Sequence, residues 1–175
     1  MVIQLAKSVF GMNVVATSSR PESLSWVQRM GADDVINHRL PLDTQLSDLH
    51  FSPRYVACLN QASSHFKPIL KSISPFGHVA IIDEAVNIDT SLFKQKSVSL
   101  SWEYVFTKSL YQTSDILTQG EFLDLIAGLI DRQIIHSITG RRFEYMNPVN
   151  LQIAHELQLS GQSIGKTVLG PWCAS

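Results

Sequence analysis

Cysteine is scarce in this sequence: two occur in 175 residues, Cys58 and Cys173, far apart and without CxxC spacing. That argues against a disulfide framework or a cysteine zinc cluster and suggests a reducing compartment. Basic runs are missing and the formal net charge is −1, so neither nucleic acid nor an anionic membrane is expected as the main partner. No apolar run approaches the roughly 18 residues that a transmembrane helix needs. Met1 to Lys7 has no basic stretch ahead of an apolar one, so no secretory signal is read there and the cytoplasm is the expected location. The six histidines form no HxxEH or HExxH arrangement. No metal site is expected, and His65 and His78 read as surface or hydrogen-bonded residues. No G-x-G-x-x-G, internal repeat or low-complexity tract occurs. What remains is 45% hydrophobic and 17% charged, a globular chain long enough for one domain, or one domain and a fragment of another.

Val2, Leu5, Ala6 and Val9 form a helical stripe within Met1 to Phe10, which Gly11 ends. Asn13 to Ser18 reads as a buried strand. A helix follows: Pro21 suits a first helical position, whereas Ser19 and Glu22 have capping-box spacing, and the two readings differ by one residue. That helix ends at Gly31, ahead of the short strand Val35-Ile36. Arg39 to Pro53 is read as a polar loop with two prolines. Tyr55 to Leu59 is the next strand, Phe66, Ile69, Leu70 and Ile73 mark a helix, and His78 to Ile82 is a fourth strand. This alternation, with strands too apolar to have a wet face, predicts an α/β fold with a parallel sheet. Further on, Lys96 to Phe106 has strand character and Phe122, Leu125, Ile126 and Leu129 make a helix stripe. Asn147-Pro148 caps a helix bearing Val149, Ile153 and Leu157, and Thr167 to Leu169 is a last strand.

The run VIQLAKSVFGMNVVATSSRPESLSWVQRMGADDVINH, Val2 to His38, resembles the medium-chain dehydrogenase/reductases. Three further stretches agree in order: SLSWEYVFTKSLYQTSDILTQGEFLDLIAGLIDRQII, the Asn-Pro helix with AHELQLSG, and IGKTVL. Together they are most similar to the zinc-type alcohol dehydrogenase-like quinone reductases. The resemblance implies a Rossmann-like doubly wound parallel sheet over residues 1–137, and a return segment of a GroES-like catalytic domain over 138–175. In that family a first strand and a glycine turn precede the residues matching Met1, and the chain is about twice as long. This sequence therefore looks like a C-terminal half. Zinc ligands of the zinc-bearing relatives lie mainly in the other half.

The same resemblance implies an NADPH site. Ser19-Arg20 ends a strand at the position that faces the adenosine ribose. An acidic residue there suits the 2′-OH of NAD, while hydroxyl and guanidinium groups suit a 2′-phosphate. The alternative is a capping Ser19 and a solvated Arg20. Asn60 and Gln61 follow a strand's carboxyl end, where the family places nicotinamide-ribose contacts; a polar turn is the alternative. Ile82 and Asp83 end the next strand and would offer backbone groups to the same crevice. Tyr104, Phe106 and Lys108 fall where the family approaches nicotinamide and substrate, although Trp102, Tyr104 and Phe106 also suit one alternating strand face. Lys166 sits in the family's GK-x-VL ending, near the cofactor or simply on the surface. SGQSIGKT, Ser160 to Thr167, is not a P-loop: three residues separate its glycines where four are needed, and a helix precedes it.

The implied activity is hydride transfer between NADPH and a quinone, enone or carbonyl. No catalytic residue is assigned to this half. The alternative is an inactive, truncated relative acting as a scaffold. In either case a homo-oligomer is expected through the Val98 to Val105 strand. A methyltransferase is disfavoured, since no ribose-binding acid follows the second strand.

Overall fold

The computed structural model describes residues 1–84 and 89–172; Cys173 lies outside them. The chain divides into two compact units, one formed by Met1–Val35 with Asp124–Ser175 and the other by Ile36–Leu123.

In the first unit, α1 is α-helical over Val2–Gln4 and π-helical over Leu5–Val9. The switch shows in the Phe10 N–H, which donates to the Leu5 carbonyl five residues back at 3.1 Å. Gly11 (φ +63°) ends the element in the left-handed region, where glycine carries no Cβ strain. The expected stripe is not what α1 buries, since Val2 and Val9 are exposed. Its buried residue is Gln4, 3% exposed. The Gln4 amide donates to the His136 carbonyl at 2.9 Å and accepts from the His136 N–H at 2.6 Å. A polar side chain can be buried there because the partner peptide satisfies both ends of it.

Strand β1 (Val15–Thr17) pairs with β2 (Asp34–Ile36), and the helix between them is α2 (Pro21–Arg29). Pro21 takes the first helical position behind an extended Arg20, so the reading with Ser19 as cap is not adopted. Near the chain's other end, β6 (Thr139–Phe143) runs parallel to β7 (Lys166–Leu169), with α7 (Pro148–Leu159) between them. Asn147 caps α7, its side chain accepting from the Asn150 N–H at 2.8 Å. A Cβ on Gly140 would lie 1.7 Å from the Ile164 carbonyl oxygen, so only glycine fits that crossing.

The second unit is built on a three-stranded parallel sheet, β3 (Tyr55–Cys58), β4 (His78–Ile81) and β5 (Ser99–Trp102), in that spatial order. Helix α4 (Ala62–Ser72) lays Ala62, Phe66, Ile69 and Leu70 against Val79 and Ile81. Phe93 of the 3₁₀ helix Thr90–Lys96 closes this core, its ring 4.8 Å from that of Phe66. Two expectations are corrected here. The stretch read as a loop from Arg39 to Pro53 contains α3 (Leu42–Asp48), which buries Leu42 and Leu46 one turn apart. The strand expected over Lys96 to Phe106 is paired only over Ser99–Trp102, because β4 offers no register partner beyond Ile81. The chain then turns into α5 (Thr107–Leu110). Helix α6 (Thr118–Asp131) follows; it buries Leu129 and leaves Phe122 and Leu125 exposed. Parallel strands alternating with helices are the α/β, Rossmann-like pattern that the sequence predicts.

Candidate functional site

Two clusters of the expected site residues can be built upward from their elements. The first lies where β1 runs into α2. Ser18 is buried, and its hydroxyl bonds the Ser23 hydroxyl at 2.6 Å and the Arg20 carbonyl at 3.3 Å. That carbonyl also accepts from the Ser23 hydroxyl at 3.1 Å and from the Leu24 N–H at 2.9 Å. Arg20 is thus held extended (φ −124°, ψ 144°) at the mouth of the helix, with Ser19 half-buried beside it. Its guanidinium reaches the loop between α7 and β7 and donates to the Gln162 carbonyl at 3.2 Å. An arginine has five donors, so most of its fork stays available to an anion.

Lys166 opens β7, where its N–H donates to the Ile138 carbonyl at 2.8 Å. Its side chain is exposed. The Met1 amino group is held below its usual pKa, first by burial and then by the positive charge of Lys166.

The second cluster caps α4. Asn60 and Gln61 are exposed, and it is Gln61 (φ +53°), not Asn60, that adopts the left-handed conformation. Gln61 gives no side-chain cap. Asp83, beyond the end of β4, supplies one instead: its Oδ2 accepts from the Ala62 N–H at 3.0 Å. Its Oδ1 is buried with no hydrogen-bond partner among the described residues. Burial, and next the Asp83 charge, pushes the Cys58 thiol up to about 11. Ile82 donates its N–H to the Cys58 carbonyl at 3.2 Å and leaves its side chain exposed. Phe106 stands outside the strand, exposed, with its ring 5.6 Å from Tyr104 in an edge-on contact. Lys108 is paired with Asp115 at 2.6 Å.

Sequence reasoning passed over Ser18, Ser23, Gln162 and the Ala62 amide. Ser18 and Ser23 had a signal, two hydroxyls flanking the Arg20-Pro21 step. Gln162 had none, since it is 142 positions from Arg20.

Comparison with known proteins fixes the family. Residues 1–119 match the sequence family described as zinc-binding dehydrogenase. The chain belongs to the zinc-binding dehydrogenase family. A zinc-type alcohol dehydrogenase-like protein of Staphylococcus aureus (strain COL) is 33% identical over 168 residues, 95% of this chain and 50% of its own length. A crystal structure described as a zinc-dependent alcohol dehydrogenase of Rhizobium etli CFN 42 superposes with TM-score 0.91 at 33% identity, covering 98% of this chain and 51% of that one. A mycobacterial protein solved with NADPH shares the fold at 21% identity, TM-score 0.75, over 97% of this chain and 52% of its own. The chain spans about half the length of the curated relatives it matches, and corresponds to the cofactor-binding part of a zinc-type, medium-chain dehydrogenase. Among the described residues, no three His, Cys, Asp or Glu side chains come together to hold a metal ion.

Proposed function

We propose that this chain supplies the NADPH-binding part of an oxidoreductase that acts on a quinone, enone or carbonyl. The observation that carries this reading is Arg20, a guanidinium at the carboxyl end of β1 with no acidic residue in Thr17 to Arg20. At that position an acid would select the free ribose 2′-OH, and an arginine fork selects a 2′-phosphate. Ser19 lies beside it as a further donor. Lys166 would face the pyrophosphate from near the start of α1. Asn60 and Gln61, just ahead of the α4 start that Asp83 caps through the Ala62 N–H, would meet the nicotinamide ribose with Ile82. Phe106 would border the nicotinamide face. When bound, the nicotinamide ring gives or takes the hydride; the residues of this chain bind and orient. Residues 1–137 would form the dinucleotide domain and 138–175 the return into the catalytic domain, in a cytoplasmic enzyme.

The test is a fluorescence titration with NADPH and with NADH. NADPH should bind the more tightly, and Arg20→Ala should weaken it roughly 10- to 100-fold, as expected for losing a hydrogen bond to a charged group. Equal affinities for the two cofactors would overturn the NADPH assignment.

A second reading, a scaffold without turnover, draws on β5. The Ser99 and Glu103 N–H groups donate toward β4, so those of Leu100 and Trp102 face the sheet's free edge. Such an edge can pair with a second copy through the Val98 to Val105 stretch. Dimers that oxidise no NADPH in the presence of a quinone would favour it.

A further inference from the structure

The loop between α7 and β7 is held over the start of α2, although the two are far apart in sequence. The Ser160 hydroxyl donates to the Leu157 carbonyl at 2.6 Å and accepts from the Gln162 N–H at 3.1 Å. Gly161 (φ +66°) makes the turn between them in the left-handed region. This sets the direction of the Gln162 peptide, whose carbonyl accepts from the Arg20 guanidinium at 3.2 Å. At the loop's far end, a Cβ on Gly165 would stand 3.0 Å from the Trp26 ring of α2, so loop and helix are in close contact there too.

We propose that the Ser160–Gly165 loop is a specificity element: its Gln162 carbonyl positions Arg20 to receive the 2′-phosphate of an adenine dinucleotide. This deepens the NADPH reading and rests on it. Arg20 is fixed at both ends. Its backbone carbonyl is held by the Ser18 and Ser23 hydroxyls and its head by Gln162. A long side chain free in water loses rotamer freedom when it grips an anion, and prior ordering removes part of that loss. The carbonyl also orients the guanidinium plane without neutralising it, so the full positive charge remains for the phosphate monoester. The loop belongs to the 138–175 stretch, so cofactor choice would be set jointly by the dinucleotide fold and the return segment.

The adenosine half of the cofactor tests this without the nicotinamide. The probes are adenosine 2′,5′-diphosphate and adenosine 5′-monophosphate, titrated into the full chain. Wild type should prefer the 2′-phosphorylated probe. Ser160→Ala removes the hydroxyl that anchors Gln162, and Gly161→Val strains the turn while a Cβ at that position meets no atom within 4 Å. Either variant should cut the preference about three- to tenfold by weakening the 2′,5′-diphosphate, with the monophosphate unchanged. In an Arg20→Ala background neither should have a further effect, because the loop acts only through Arg20. Full preference in both folded loop variants, with preference lost in Arg20→Ala, overturns the loop's role and leaves the NADPH reading standing. No preference in wild type overturns the NADPH reading itself, and this inference with it.

Discussion

Cys58 closes β3 at 6% exposure, and a thiol pushed up to about 11 is almost wholly protonated at neutral pH. Thiolate is the reactive form, so burial and a high pKa act in the same direction. In a Cys173→Ser background, a maleimide at about pH 8 should label Cys58 only as fast as the protein opens, and urea should make labelling complete. Prompt stoichiometric labelling of the folded protein would contradict this burial. Asp33 behaves in the opposite sense. Lys7 donates to its Oδ1 and the Val14 N–H to its Oδ2, and these bonds hold its carboxyl below the usual aspartate range. A depressed carboxylate pKa stabilises the fold fully above the unfolded value of about 4 and progressively less as pH falls through the folded one. The urea midpoint should therefore drop between about pH 5 and pH 3, and Asp33→Asn should flatten that part of the profile. Single residues were legible in sequence when their role was local. Pro21 and Asn147 act within one helical turn and could be placed at helix starts; Gln4 and Asp83 act across space. Gln4 even sits in a helix read as amphipathic, where a buried amide looks like an error until His136 is seen beside it.

At the scale of elements, the strands and long helices announced themselves through apolar runs and turn residues, and the shorter pieces did not. Helix α3 is seven residues long, too short for a periodicity, and depends on Leu42 and Leu46 being buried. Alternating aromatics at Trp102, Tyr104 and Phe106 imitate a longer β5, but a strand continues only while a neighbour does. One element is fastened in a way that no local pattern reveals. The Lys96 ammonium donates to the carbonyls of Leu70, Lys71 and Ile73 at 2.8, 2.9 and 2.8 Å, closing the carboxyl end of α4 from the 3₁₀ helix. Cations suit helix carboxyl ends, and three carbonyls would otherwise lose their donor. Lys96→Met keeps most of the stem and should destabilise the fold by about 1–3 kcal/mol in urea denaturation. An unchanged midpoint would mean that water replaces the ammonium without loss.

For the whole molecule, the free edge of β5, with the exposed Trp102 that ends it and Tyr104, Val105 and Phe106 beyond, forms an apolar surface suited to association. Sedimentation should show association that rises with concentration. Trp102→Pro removes an outward N–H without breaking the bonds to β4, and should shift the chain toward monomer; unchanged association would place the contact elsewhere. The α/β class and the family were legible because four stretches match in order. Partition into units was not, because the first unit is assembled from both ends of the sequence. The bond pair between Gln4 and His136 gives that arrangement a consequence in time. During synthesis the first helix emerges without the peptide that satisfies its buried amide, and 132 further positions must be translated before that partner exists. At about 5–20 residues per second this is a wait of roughly 7–26 s. The continuous stretch Ile36–Leu123 emerges ahead of that partner and can close its core first, so a pause in translation after this stretch has cleared the ribosome but before His136 has should leave the second unit protease-resistant while the first helix is still cleavable.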